Sequence, residues 1–407
     1  MLMSKRRLVS TLVAFLAVGL MACGPDAGDD DDNDNDTNDN QDPDTCVDFD
    51  AGDLSGATLD GNCYDISGST TIDDGTLTIE AGTTIYFGQG EGLSITGGGI
   101  LNAEGTEDEP IRLLGAQDEL GYWDGVHFND SPSSDNILQH VSIENAGGSQ
   151  WRVGRDLSQG GLVIREGTRL QVTDSEFRRN QYSGISVESD DAEVDVTGSL
   201  FEDNEAYPIR LYPNQIGAIG EGNEYVDNGD QYIQVDGSST ITSSTTWQAQ
   251  EIPFRPNDRF AIEADVTVSP GTAIHFEQGA GFSVDEGSFQ ADASGEDAIE
   301  LMGTDDDQGH WRGIRTRTRS GDNQLENVVI DGAGAGQWRS GRDASQTALY
   351  VTDDANMEIN DSTVSNSGGH GLSADGADAE VTGCDDLEFD GNAGDDEHTD
   401  NDGKVCE

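Results

Sequence analysis

Phe177-Arg-Arg-Asn180-Gln-Tyr-Ser-Gly-Ile185 is followed 24 residues later by Phe201-Glu-Asp-Asn204-Glu-Ala-Tyr-Pro-Ile209, and after 24 more by Tyr225-Val-Asp-Asn228-Gly-Asp-Gln-Tyr-Ile233. A fixed period of this size marks stacked supersecondary units, each burying its apolar side only against the next. Short β-prone runs, almost no helical periodicity and a turn asparagine at constant phase point to a right-handed parallel β-helix. In that arrangement the inward Phe, Tyr and Ile pile up along an axis, and the asparagines can hydrogen-bond from rung to rung, satisfying amides that are cut off from water. Leucine-rich repeats share the period, but their leucine spacing is missing.

Upstream, Leu77-Thr78-Ile79, Thr84-Ile85-Tyr86-Phe87 and Gly92-Leu93-Ser94-Ile95 alternate with Gly, Asp and Asn turns, so the folded chain reads as all-β. A longer duplication lies over the 24-residue ladder. Gly82-Thr-Thr-Ile85-Tyr-Phe87 returns as Gly271-Thr-Ala-Ile274-His-Phe276, Gly121-Tyr-Trp123-Asp-Gly125 as Gly309-His-Trp311-Arg-Gly313, and Gln150-Trp-Arg-Val-Gly-Arg-Asp156 as Gln337-Trp-Arg-Ser-Gly-Arg-Asp343. The copies span about 72–237 and 260–394. The expected solenoid of about 13 coils, roughly 60 Å long at 4.8 Å per coil, divides into a first module with its N-terminal cap (46–237), a connector (238–259) rich in Pro and aromatic residues, a second module (260–394) and an acidic C-terminal flap (395–407).

The opening Leu77-Thr-Ile-Glu-Ala-Gly-Thr-Thr-Ile-Tyr-Phe87, loosely repeated from Val266 to Phe276, resembles bacterial surface lipoproteins with right-handed parallel β-helix repeats of the pectin-lyase-like fold. That resemblance concerns the fold, and few such proteins have an assigned activity. The N-terminus agrees with it. Lys5, Arg6 and Arg7 precede a short apolar run from Leu8 to Leu20, as in an export signal spanning residues 1–22, and the run is too short to cross a bilayer. Leu20-Met21-Ala22-Cys23 resembles a lipobox, which implies diacylglycerol on Cys23, and Gly24 rather than Asp after it favours the outer membrane. The expected product is an exported lipoprotein on the outer membrane, facing the periplasm or the cell exterior. Residues 23–45 are nearly all Asp, Asn, Gly, Pro and Thr and are expected to form a disordered acidic tether. Asp32, Asp34 and Asp36 echo a calcium loop without its turn glycine and closing glutamate, so calcium stays an open cofactor and no metal ligand set is assigned.

The chain carries 81 acidic against 20 basic residues, a formal charge of −61. Nucleic acid is excluded as a partner, because binding it relies on Lys and Arg neutralising phosphates. Long anionic polymers are disfavoured unless metal ions bridge them. Only Lys5 and Lys404 are lysines, and this balance resembles that of proteins adapted to high salt. With Cys23 lipidated, Cys46, Cys63, Cys384 and Cys406 remain; three pairings are conceivable, and pairing within each end suits an elongated fold best.

Enzymes on this fold cut acidic polysaccharides, so catalysis has to be judged on residues. Ser367-Gly-Gly-His370-Gly resembles the Gly-His-Gly segment of polygalacturonases, with Asp353-Asp354 upstream. The Asn-Thr-Asp and Arg-Ile-Lys motifs of that family are missing, and the coil phase makes His370 an outward turn residue. No catalytic residue is assigned. Three features could bind instead. Arg315, Arg317 and Arg319 alternate beside His310, Trp311 and Arg312 in the only basic island of the chain. They either pair with carboxylates on neighbouring coils or grip an acidic or sulfated sugar, with Trp311 stacked on its ring. Two duplicated loops carry Trp151, Arg152, Arg155 and Asp156, and Trp338, Arg339, Arg342 and Asp343; they either project as binding surfaces or fold back with their charges paired internally. Trp123 and Trp311 also suit corner packing in the core. The expectation is a rigid lipid-anchored rod with an adhesive, structural or glycan-binding role, its partner a glycan or another envelope protein. The alternative is a polysaccharide lyase or glycoside hydrolase.

Overall fold

The computed structural model describes residues 46–50, 52, 54–151 and 159–406. The expected signal, Cys23 and the tether lie outside the described residues. No helix among the described residues is long and apolar enough to cross a membrane.

Among the described residues, forty-one short strands wind into a right-handed parallel β-helix of five sheets, with every strand pair parallel. Sheet 1 holds eight strands, Val47–Asp50 to Glu224–Val226; sheet 2 holds thirteen, Thr70–Ile72 to Glu388–Asp390; sheet 3 holds six, Thr58–Leu59 to Glu193–Thr197. Sheet 4 (Thr240–Ile241 to Glu397–Asp400) and sheet 5 (Thr245–Trp247 to Lys404–Val405) hold seven each. Each turn of the first half passes through sheets 1, 2 and 3, and each turn of the second half through sheets 2, 4 and 5. Sheet 2 therefore runs the length of the solenoid, and its thirteen strands give thirteen coils.

Strict register explains the 24-residue ladder. Phe177 lies beside Phe201, and Phe201 beside Tyr225, with ring centroids 5.2 and 5.6 Å apart and nearly parallel planes. Three residues on, Asn180 Nδ2 donates to Asn204 Oδ1 at 3.0 Å, and Asn204 Nδ2 to Asn228 Oδ1 at 2.8 Å. The same amides donate to the strand carbonyls of Ile143, Phe177 and Phe201, turning the chain from sheet 1 into sheet 2. The residue before each ladder asparagine (Arg179, Asp203, Asp227) is left-handed, with φ near +50°. Asp tolerates that region better than most side chains, which is one reason why a β-rich chain carries so many acids at its corners.

The second copy is offset from the first by more than its sequence shows. Thr84–Phe87 belongs to sheet 1 but its counterpart Ala273–Phe276 to sheet 2; Gly92–Thr96 belongs to sheet 2 but its counterpart Gly281–Val284 to sheet 4. Between the first pair lie twenty strands and one 3₁₀ turn, Pro213–Ala218, which occupies a sheet 3 position. That makes one side more than seven full turns, so equivalent surfaces of the two copies face different directions. Pro213 offers no N–H to a strand ladder, and this fits the loss of a strand at that position.

Two expected boundaries change. Residues 238–259 do not interrupt the solenoid as a connector: they contribute strands Thr240–Ile241, Thr245–Trp247 and Phe254–Pro256, with Trp247 fully buried. Residues 395–406 add the last strands of sheets 4 and 5. Disulfides Cys46–Cys63 and Cys384–Cys406, with Cα atoms 4.6 and 5.5 Å apart, tie each end to itself.

Asn204 is the central rung of the asparagine ladder, and truncating it takes one hydrogen bond from each neighbouring amide and the side-chain donor from the Phe177 carbonyl. Asn204→Ala is expected to cost about 3 kcal/mol, the desolvation of one to two orphaned polar groups. Urea unfolding should show its midpoint falling further than that of the end rung, Asn228→Ala.

Candidate functional site

Trp311 is not available as a ligand contact. It is 0% exposed, stacked on Phe276 at 4.2 Å, with Nε1–H donating to the Asp331 carbonyl at 2.7 Å. Trp123 repeats this on Phe87 at 4.2 Å, with its donor on Glu144 O. Both rings plug the corner where the chain enters the next strand, and a buried indole with its N–H satisfied has nothing left to offer a sugar.

The three arginines do not share a strand face either, because strand Gly313–Thr316 ends before Arg317. Arg317 lies 3.5 Å from Asp285 and 3.7 Å from Asp353, and Arg319 pairs with Asp354. The loop around Trp338 folds back over sheet 4. Arg339 Nη2 clamps both oxygens of Asp353 at 2.8 and 2.9 Å, and Arg342 Nη1 clamps both oxygens of buried Asp375 at 2.6 and 2.7 Å. Burial pushes the Asp375 carboxyl up, but hydrogen bonds from Tyr350, Asn401 and Arg342 outweigh it and leave its pKa below the usual value. Asp343 is exposed, 3.7 Å from His370. These contacts leave Arg312 and Arg315.

Arg312 and Arg315 both lie against the half-buried Trp338 ring, their guanidinium carbons 5.8 and 5.9 Å from its centroid. Arg312 Nη1 donates to the Gln337 carbonyl at 2.8 Å. Neither arginine makes an ion pair among the described residues, and both Nε atoms, together with Trp338 Nε1, are buried without a partner. Burial lowers the pKa of both; Arg259 adds to this for Arg312, and Arg317 and Arg339 for Arg315, where Asp285 and Asp353 act the other way without reversing it. In a chain with four acids for every base, two adjacent unpaired guanidiniums are the reverse of what the composition favours.

The first copy builds the same bracket from opposite material. Asp124 and His127 occupy the positions of Arg312 and Arg315, and Trp151 that of Trp338. Trp151 lies on His127 at 4.6 Å and donates to the Asp124 carbonyl. Gly92 leaves room for it, since a Cβ there would sit 2.7 Å from the indole. Burial, with Arg165 adding, holds the His127 imidazole down to about 4. Arg152, Arg155 and Asp156 lie outside the described residues.

A second surface was not foreseen. Tyr182, Tyr207 and Tyr232, one per coil, line the entry to sheet 2 half-exposed, with centroids 5.8 and 5.6 Å apart. Arg210 lies over Tyr182 and Tyr207, and Arg255 over Tyr232 at 4.4 Å. The signal was present as three tyrosines at 25-residue steps, hidden beside the stronger 24-residue pattern. His370 is not an outward turn residue. It opens strand His370–Asp375, only 7% exposed, because residues 394–396 of the next coil close over it.

A family model described as a right-handed β-helix region matches residues 120–246, which contain the asparagine ladder and the first-copy tryptophan bracket. No curated protein and no solved structure matches the chain.

The His127 environment sets a pH dependence. An unfolded histidine protonates near pH 6.5, whereas this one resists until about 4. Between those values the unfolded chain binds the extra proton, so stability falls on acidification, by about 3 kcal/mol. His127→Gln should remove that part of the slope, read as a smaller drop in urea midpoint between pH 7 and 4.5 than the parent shows.

Proposed function

We propose that this chain is a lipid-anchored, non-enzymatic surface rod that binds an acidic or sulfated glycan through its second copy. The observation that carries the reading is the pair of half-buried guanidiniums, Arg312 and Arg315, both against Trp338 and without an ion pair among the described residues. Guanidinium forks match the paired oxygens of carboxylate and sulfate groups, and half-burial strengthens such bonds relative to bulk water. A ligand anion would supply the countercharge that the surrounding acids already give to Arg317, Arg319, Arg339 and Arg342. The tyrosine row offers aromatic faces that can pack against sugar rings on another side, while its arginines, Arg210 and Arg255, are already paired with Asp236 and Glu277. The anchor rests on the lipobox-like Leu20-Met-Ala-Cys23, and export agrees with disulfides at both ends.

A polysaccharide lyase or hydrolase is the second reading, favoured by Asp285 and Asp353 within 4 Å of Arg317. Against it, Asp353 is held at both oxygens by Arg339, which neutralises it and leaves it poorly placed to take a substrate proton.

Titration of the full chain with sulfated and uronic-acid oligosaccharides tests the proposal. Arg312→Ala/Arg315→Ala is expected to weaken binding at least about tenfold, the worth of one charge-assisted contact, with binding to the parent falling as salt rises. Equal binding by parent and variant, or no anionic glycan bound at all, would overturn it. Shortened oligosaccharide products would favour the enzyme.

A further inference from the structure

We propose that His370, His398 and Asp395 form a site for a divalent transition-metal ion of the zinc class, pinning the last coil to the one before it. His370 opens the penultimate strand of sheet 4, and His398 lies in the last, Glu397–Asp400. Their rings stack with centroids 3.9 Å apart, although only six histidines occur in the chain. Asp395 Oδ2 lies 3.3 Å from His398 Nδ1 and 3.8 Å from His370 Nδ1, and ligand atoms from all three residues fall within 4.8 Å of one another. Bonds of about 2.0–2.1 Å to one ion place ligand atoms roughly 3.3 Å apart in a tetrahedral shell, so small side-chain movements close the site.

Two further features prepare His370 as a ligand. Its Nδ1 accepts the Asp395 backbone N–H at 3.0 Å, which places the ring proton on Nε2, facing Asp343 Oδ2 at 3.7 Å. A carboxylate on the far ring nitrogen is the arrangement that orients metal-binding histidines, and the ion would take over the lone pair now given to the amide. Gly394 keeps the approach clear, since a Cβ there would sit 2.7 Å from His370 Nδ1. Two imidazoles with one carboxylate suit zinc, nickel or copper, whereas calcium and magnesium prefer all-oxygen shells. The Cys384–Cys406 disulfide ties the neighbouring side of the same end, so the ion would fasten a part of the terminal coil that the disulfide leaves free.

The test is calorimetric titration of the chelator-treated full chain with zinc chloride, in excess calcium to occupy surface carboxylates. One zinc per chain is expected. His398→Ala and Asp395→Asn, both at accessible positions, should each weaken binding at least about tenfold, and Asp343→Asn by less. Cobalt(II) should give the intense visible bands of a four-coordinate ion in the parent and lose them in His398→Ala. Saturable binding unchanged in His398→Ala, or no binding above the calcium background, would overturn the proposal.

Discussion

Register is the constraint on which everything else in this molecule depends. A parallel coil has no interior of its own, because its apolar residues become buried only when the next coil places equivalent residues a strand-spacing away. Phe177, Phe201 and Tyr225 do this for one corner, while Asn180, Asn204 and Asn228 settle the polar groups that the corner would otherwise strand in a dry interior. The two requirements reinforce each other. Any slip that separated the rings would also break the amide chain, so the stack has one alignment with both satisfied.

With alignment guaranteed by the interior, the outer rows are free to vary. The tryptophan brackets illustrate this freedom. Trp151 and Trp338 descend from the same duplicated segment and lie on equivalent strands, yet one is held against Asp124 and His127 and the other against Arg312 and Arg315. The backbone contribution is common to both, and the chemistry has been rewritten by two substitutions. Charge composition runs in the same direction: acids dominate corners and outer rows because those sites face water, which makes the few places where arginine is left unneutralised informative.

Much of the fold was legible because the repeat writes each structural requirement several times. The three aromatic-Asn-Ile segments announce strand, corner and next strand together, and the cysteine positions at the extreme ends restrict which bonds an elongated body can form. The site was less legible, for a physical reason. Whether an arginine is spent on an ion pair depends on acids that arrive from other coils: Asp285, Asp353, Asp354 and Asp375 come from three different turns. Local alternation through Arg315, Arg317 and Arg319 could not show that the strand stops at Thr316. Coil phase likewise placed His370 outward, correctly for an average coil, but could not foresee the following segment closing over it.

The one-side offset between the two copies has a geometric consequence for recognition. It seats the first tryptophan bracket on sheet 2 and the second on sheet 4, so a flat target lying against one side, such as a sheet of polymer or a neighbouring envelope, meets only one of them at a time. Avidity from the duplicated pair is thereby unavailable on planar surfaces, and simultaneous engagement is reserved for flexible strands long enough to wrap the shaft.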